Sequence, residues 1–515
     1  MMTDRRRKHF MVHRISAAVL IVSAVAAFRL VLPGRIDVYM IGDSTMADKP
    51  LSDNPERGWG QMFQMFFDDS VVVRNYAHNG RSTKSFIDDG EWNNVLEQLH
   101  PGSYIFIQFG HNDEKRNDST RHTDPNTSYR QNLVRFVNES RSKGAVPVLL
   151  TPVNRREFDR NDRIIETHRE YSDVVREVAK KEDVALIDLD SLSESLFNRI
   201  GPDSSRNIFL WVAKGKYDRI PDGKEDNTHF QQDGAVIVGQ LAADELRKTD
   251  LSLKSHLLSD DSVASIIRNG RSKVVGLDCF HNNEWKTGKY GKPERYHYIW
   301  EDDENSGYSE LGNVITHLDA QVSELDSAVT DKDLSRFGIF IIVDPDTPAE
   351  TKSPHYIEPD ETKALVEWVK AGGVLVLFAN DRGNCEFTHL NSLAGEFGIR
   401  FNEDSRNDVV GQDYDMGKFD NLPPRPLFAG VGKIYLKEIS TLSVVPPAEP
   451  VLTDSGQVIM ACSSLGKGFV FAVGDPWLYN EYIDNTKLPA GFENLKAARN
   501  LFSWLLGKAR ASKLY

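Results

Sequence analysis

From Ile36 almost to its end, the chain alternates short apolar runs with amphipathic segments, and this constrains its fold more than any other feature. Residues 36–41, 71–76, 104–109, 146–150 and 184–189 are short and rich in β-branched or aromatic side chains, as buried strands are. Between them, residues 59–68, 92–99, 128–143 and 168–181 carry helical spacing, and 235–248 adds a last helix. Lys180 and Lys181 close one of these helices favourably for its dipole. Strands that alternate with helices imply right-handed crossovers, hence a parallel sheet covered on both faces. The expected fold class is α/β.

A second alternation follows a polar stretch. Residues 274–277, 338–343, 374–378 and 399–401 read as strands, and a helix over Pro359–Lys370 is stopped by Ala371-Gly372-Gly373. Residues 457–461 and 468–473 flank Ser463-Ser464-Leu465-Gly466-Lys467 as a hairpin would, and 494–506 form a closing helix. At 515 residues the chain is too long for one ordinary domain. The expectation is one α/β domain over 34–248, a linker over 249–273 and a second α/β domain over 274–515. Residues 34–250 are expected to fold alone.

Ahead of both lies a basic flank, Arg5, Arg6, Arg7, Lys8 and Arg14, then an apolar run over 15–32 broken by Ser16, Ser23 and Arg29. That is the form of a secretory signal, with Ala24-Val25-Ala26 as a small-residue cleavage site. The competing reading is an uncleaved membrane anchor, but Arg29 interrupts the roughly 20 apolar residues a span needs. Residues 1–33 are therefore expected to lie outside the fold, and the protein to be secreted, periplasmic or envelope-anchored. A formal net charge of -14 argues against a nucleic-acid partner. Cys279, Cys385 and Cys462 lie too far apart in sequence for a disulfide framework or a zinc site.

Open parallel sheets bind ligands beyond the carboxyl ends of their strands. After the first strand stands Gly42-Asp43-Ser44-Thr45, after the second Asn79-Gly80-Arg81-Ser82, after the third Gly110-His111-Asn112-Asp113, and before the last helix Asp226-Asn227-Thr228-His229. Each group has a task in acyl transfer. Ser44 is a nucleophile that needs a base. His229 takes its proton and returns it to the leaving oxygen. Asp226 holds the imidazole and stabilises its cation. The Ser44 and Gly80 amides and the Asn112 side chain supply an oxyanion hole. Singly, each motif is a common turn; Asp278-Cys279-Phe280-His281 repeats the Asp-x-x-His spacing with no serine beside it. Their joint occurrence, each at the proper strand end, carries the reading.

At these residues the chain resembles the SGNH (GDSL) hydrolases. The likeness sharpens toward the rhamnogalacturonan acetylesterases through Gly42-Asp43-Ser44-Thr45-Met46-Ala47, Gly58-Trp59-Gly60, Asn79 to Phe86 and Phe109-Gly110-His111-Asn112-Asp113. It covers roughly residues 36–246. The resemblance implies a flavodoxin-like three-layer α/β/α sandwich with no metal and no cofactor. It also implies Ser44, Gly80, Asn112, Asp226 and His229 in the roles above, and acetyl removal from an acidic plant polysaccharide. Asn79 departs from the small residue common before the glycine. Asp43 and Asp113 read as turn-bonding structural carboxylates. Arg81 and Lys84 flank the oxyanion glycine and could meet a galacturonate carboxylate. Arg155, Arg156, Arg160 and Arg163 alternate with Glu157, Asp159 and Asp162 and read as an ion-paired surface face.

The second half vaguely resembles the class I glutamine-amidotransferase-like fold, whose enzymes carry a cysteine at a strand-to-helix elbow. Here Cys385 falls beyond that position, so this half reads as a non-catalytic accessory domain. Tyr356, Trp368, Trp477, Tyr479 and Tyr482 are either core or a sugar-stacking surface. Two other functions compete with the carbohydrate esterase. A lipase or thioesterase on the same fold would need an apolar rim, and 113–126 and 218–227 are polar. A polysaccharide-binding protein would not need an oxyanion hole.

Overall fold

The computed structural model describes residues 35–512 except 218, 289–290 and 484–486. The expected signal or anchor over 1–33 lies outside the described residues. No described helix is long and apolar enough to cross a membrane.

The first half is built on five parallel strands: β1 (Ile36–Gly42), β3 (Val71–Asn75), β4 (Tyr104–Gln108), β5 (Val146–Leu150) and β6 (Ala185–Ile187). Their order is β3-β1-β4-β5-β6, with Val38 opposite Tyr104, Phe106 opposite Val148 and Val148 opposite Ala185. The switch point therefore falls between β1 and its two neighbours, which brings the loops after β1, β3 and β4 to one rim. Alternate strand residues feed two separate cores. Val38, Met40 and Phe106 join one on one face. Tyr39, Ile41, Ile105 and Ile107 join the other. Helices α4 (Arg130–Ser142) and α5 (Arg169–Lys181) cover the second face, while α7 (Gln232–Lys248) lies on the first. The segment expected as a helix over 59–68 divides into α1 (Trp59–Met62) and a 3-10 turn, Phe63–Phe66.

The second half repeats the design. The parallel strands Gln321–Leu325, β9 (Val274–Asp278), Ile339–Val343, Val374–Phe378 and Gly468–Val473 stand in that order. Antiparallel strands Gln457–Leu465, Leu442–Val444 and Ile399–Phe401 extend the sheet. The hairpin is tighter than expected: Leu465 pairs with Gly468, so Ser463 to Leu465 are strand and only Gly466-Lys467 form the turn.

The structure bears on three of these readings. Residues 249–273 are not a loose connector. They fold into a 3-10 turn, Ser252–His256, and α8 (Asp260–Gly270), whose Leu253 and Val263 are buried in the first half's core. Polar residues there lie on the solvent side, with Ser259 capping α8. Next, Trp368, Trp477, Tyr479 and Tyr482 are core side chains, which decides between the two readings for those four, and Tyr356 is half-buried with its ring 4.7 Å from that of His389. Finally, the described residues from Ile36 onward cluster as one compact unit. Leu51 belongs to one core of the second half, and Leu210, Val212 and Tyr217 belong to another. Ser52 forms a parallel bridge with Val322, and Glu301 accepts from the Leu51 and Ser52 amides at 3.1 and 3.2 Å.

Candidate active site

The turn after β1 is fixed by the Asp43 side chain. Its Oδ1 accepts from the Thr45 amide and hydroxyl at 3.0 and 2.8 Å, and its Oδ2 meets His111 Nδ1 at 3.1 Å. Burial would raise the Asp43 carboxyl, but His111 and the two Thr45 donors outweigh it and hold the group far below the usual carboxylate range. Burial pushes His111 down to about 4 against the pull of Asp43, so at neutral pH an anionic Asp43 accepts from a neutral imidazole. Against this turn packs Gly58-Trp59-Gly60. A Cβ on Gly58 would lie 2.2 Å from the Ala47 carbonyl oxygen, so no larger residue fits there. Ser44 is thereby presented, half-buried, at the rim.

Asp226 and His229 come from β8 (Lys224–Gln231), the centre of a small antiparallel sheet between β2 (Glu56–Arg57) and β7 (Phe209–Val212). The sequence places them in a turn; the structure places them in a strand. His229 Nε2 lies 2.9 Å from Ser44 Oγ, and its Nδ1 lies 2.8 Å from Asp226 Oδ2. Asp226 Oδ1 accepts from the Thr228 and His229 amides at 2.7 and 3.0 Å. Burial opposes ionisation of Asp226, but the His229 hydrogen bond and charge, with these amides, hold its carboxyl far below the ordinary range. The arrangement can pass a proton from a hydroxyl to an imidazole whose cation is met by a fixed carboxylate.

Gly80 follows β3 with φ at +76°, a left-handed conformation that glycine adopts without strain. Among the described residues, neither its amide nor that of Ser44 meets a protein acceptor. Asn112, 2% exposed, donates from Nδ2 to the Arg81 carbonyl at 2.9 Å. Asp113 accepts from the Thr83 amide and from the Thr83 and Thr123 hydroxyls, tying the loops after β3 and β4 together.

Arg81 and Lys84 border a polar cavity of about 750 Å³ beside Gly80, which Asn79, Asp118 and Arg121 also line. Both are already paired. Arg81 Nε donates to Glu91 at 2.6 Å, and Lys84 Nζ donates to the Ser119 carbonyl at 2.9 Å. Asn79 accepts from Lys49 Nζ.

The arginine cluster expected as a surface face divides. Arg155 donates to Thr228 Oγ1 at 2.8 Å and to Glu114 at 2.6 Å, and Glu114 also holds the buried His168 at 2.7 Å. Arg156 is buried, donates to Asn227 Oδ1 at 3.1 Å and stacks 4.7 Å from Trp211. Both arginines thus grip the strand that carries Asp226 and His229. Their alternation with acidic residues hid this, since partners 73 and 71 residues away leave no local signal.

In the second half, Asp278 and His281 repeat the pairing at 2.6 Å, but His281 is buried between Asp278 and Glu361. Burial pushes the Cys385 thiol well up, so it holds no thiolate. Cys279, Glu324 and Asp326 are a metal-spaced group among the described residues, but Arg295 is bonded to Asp326 and the Trp300 amide to Glu324.

Residues 40–235 match the GDSL-like lipase/acylhydrolase family. The rhamnogalacturonan acetylesterase RhgT of Bacillus subtilis (strain 168) is 42% identical over 224 residues, 44% of this chain and 95% of that protein. The probable rhamnogalacturonan acetylesterase YesY of the same organism is 32% identical, over 43% of this chain and 98% of that one. The crystal structure of Bacillus subtilis YxiM covers 42% of this chain and 58% of its own, at 28% identity and a TM-score of 0.37. The chain belongs to the GDSL-like lipase/acylhydrolase family and is a carboxylic ester hydrolase.

Proposed function

We propose that the protein removes O-acetyl groups from an acidic pectic polysaccharide, rhamnogalacturonan, through a serine acyl-enzyme. The observation that carries the reading is the unbroken line Ser44 Oγ, His229, Asp226, with contacts of 2.9 and 2.8 Å. Ser44 attacks the ester carbonyl while His229 Nε2 takes its proton. The tetrahedral oxyanion falls between the Ser44 and Gly80 amides and Asn112 Nδ2. His229 then protonates the departing sugar oxygen, activates water, and the acyl-enzyme is hydrolysed to acetate. Throughout, Asp226 keeps the Nδ1 proton in place and faces the imidazolium. The polar cavity beside Gly80, with Arg81 and Lys84 on its wall, suits a sugar chain better than an acyl tail. The substrate assignment draws on the two similar proteins whose names state it. The half over 274–515 acts as a non-catalytic accessory domain of amidotransferase-like design, and the leader delivers the enzyme outside the cytoplasm.

The test uses Ser44→Ala. It is expected to keep the melting temperature, lose nearly all deacetylation of acetylated pectin, and escape labelling by a fluorophosphonate. Full labelling of the variant, or preference for long-chain nitrophenyl esters in the wild type, would sink the reading.

A further inference from the structure

An asparagine can serve an oxyanion only if its amide faces the right way, because a flipped side chain presents a lone pair to the negative charge. Two cations sit on the far side of the Asn112 amide. Lys115 Nζ donates to Asn112 Oδ1 at 2.7 Å, and Arg121 Nη1 approaches the same oxygen at 3.4 Å. Lysine and arginine have no acceptor, so the atom they touch must be the oxygen. Nδ2 is thereby turned toward the loop after β3, where one of its two hydrogens goes to the Arg81 carbonyl at 2.9 Å. The second remains for substrate. Arg121 also borders the other oxyanion donor, since a Cβ on Gly80 would lie 3.5 Å from its Nη1. It is itself anchored by an ion pair with Asp118.

We propose that Lys115 and Arg121 are positioning residues that clamp the carbonyl end of Asn112 and so aim and polarise its Nδ2 at the developing oxyanion. The proposal rests on Asn112 belonging to the oxyanion hole. A charged donor on the amide oxygen draws electron density from the nitrogen and strengthens its N–H as a donor. The gain appears when negative charge forms on the substrate, so it acts on kcat rather than on ground-state binding. Lys115 sits in the loop after β4, three residues from Asn112. Nothing in its exposed sequence context would single it out.

The experiment compares Asn112→Ala, Lys115→Met, Lys115→Arg and the double variant Asn112→Ala/Lys115→Met in the full chain, with nitrophenyl acetate as substrate. Asn112→Ala is expected to lower kcat by about 10²–10³. Lys115→Met should lower it on the order of tenfold with KM unchanged, because Arg121 keeps part of the clamp. Lys115→Arg should recover most of that loss. In the Asn112→Ala background, Lys115→Met should change nothing further. If Asn112→Ala falls as expected while Lys115→Met keeps the wild-type kcat, the clamp is refuted and the oxyanion hole stands. An unchanged kcat for Asn112→Ala would refute both. A raised KM at constant kcat would make Lys115 a substrate contact instead. A loss that persists in the double variant, with a lowered melting temperature, would make it merely structural.

Discussion

Cutting the chain after residue 250 should destroy the esterase, although every catalytic candidate lies before that point. The consequence follows from where six side chains are buried. Leu253 and Val263 are core residues of the first half, and the cut removes them. Leu51, Leu210, Val212 and Tyr217 remain but lose the second-half cores that bury them to 8% exposure or less. At roughly 1.5–3 kcal/mol for each buried apolar side chain, the loss is on the order of 10 kcal/mol, comparable to the whole stability of an ordinary domain. Polar contacts go with them: Arg219 to Glu301 at 2.9 Å, Gln232 to Asp319 at 3.1 Å and His317 to the Gln61 carbonyl at 2.9 Å. Because β7 carries two of the uncovered residues and pairs with β8, the strand of Asp226 and His229 loses part of its support. Residues 34–250 and 34–273 should be expressed beside the full chain and compared by solubility, thermal melting and nitrophenyl acetate turnover. The shorter protein is expected to aggregate or melt without cooperativity. The longer one should gain order through Leu253 and Val263, yet remain far below full-length turnover. A soluble 34–250 protein with a cooperative melt and turnover within twofold of the full chain would refute the reasoning.

The remaining predictions concern the rim. Asp226→Asn should lower kcat by up to about 10⁴ with little change in melting temperature, since the amide holds the imidazole in the wrong tautomer; steady-state kinetics beside a melt would check it. His111 has a folded pKa of about 4, depressed by burial, so between pH 6.5 and 4 the unfolded chain binds a proton that the folded chain does not. Stability is therefore lost as pH falls through that window, by roughly 1.4 kcal/mol per pH unit for this group. His111→Gln should flatten the slope of urea-derived stability there by about one proton, and an unchanged slope would show that His111 is charged in the fold.

The candidate site was legible where its members stand at strand ends, because there one or two residues decide local geometry. Asp43 bonds its own turn, Gly58 yields to the Ala47 carbonyl, and Gly80 takes a positive φ. The strand holding Asp226 and His229 was not legible. Lys224 to Thr228 have no apolar alternation, and their extended form comes from pairing with Phe209–Val212 and from Arg155 and Arg156 reaching across from the loop after β5. The aromatic residues of the second half were ambiguous for the opposite reason: apolar character fixes burial only when a partner surface is known, and the surface that buries Trp477 and Tyr479 is built from distant segments.

Two complete alternations suggest two independent bodies, and each half does form its own sheet. Independence, however, depends on which cores the loops enter, and Leu51, Leu210 and Tyr217 are apolar residues of the first half that complete cores of the second. Periodicity cannot report this, because a side chain buried against its own sheet and one buried against a neighbouring sheet are the same residue in the sequence. Placing the strand of Asp226 and His229 on that border has a mechanical consequence. The imidazole must stay within hydrogen-bond reach of Ser44, and displacement of about 1 Å can cost 10² in rate. Ser44 is held by the first sheet, whereas β8 is held by β7, whose outer residues are held by the second half. The distance between Ser44 and His229 therefore depends on the fit between the two halves as well as on the grip of Arg155 and Arg156.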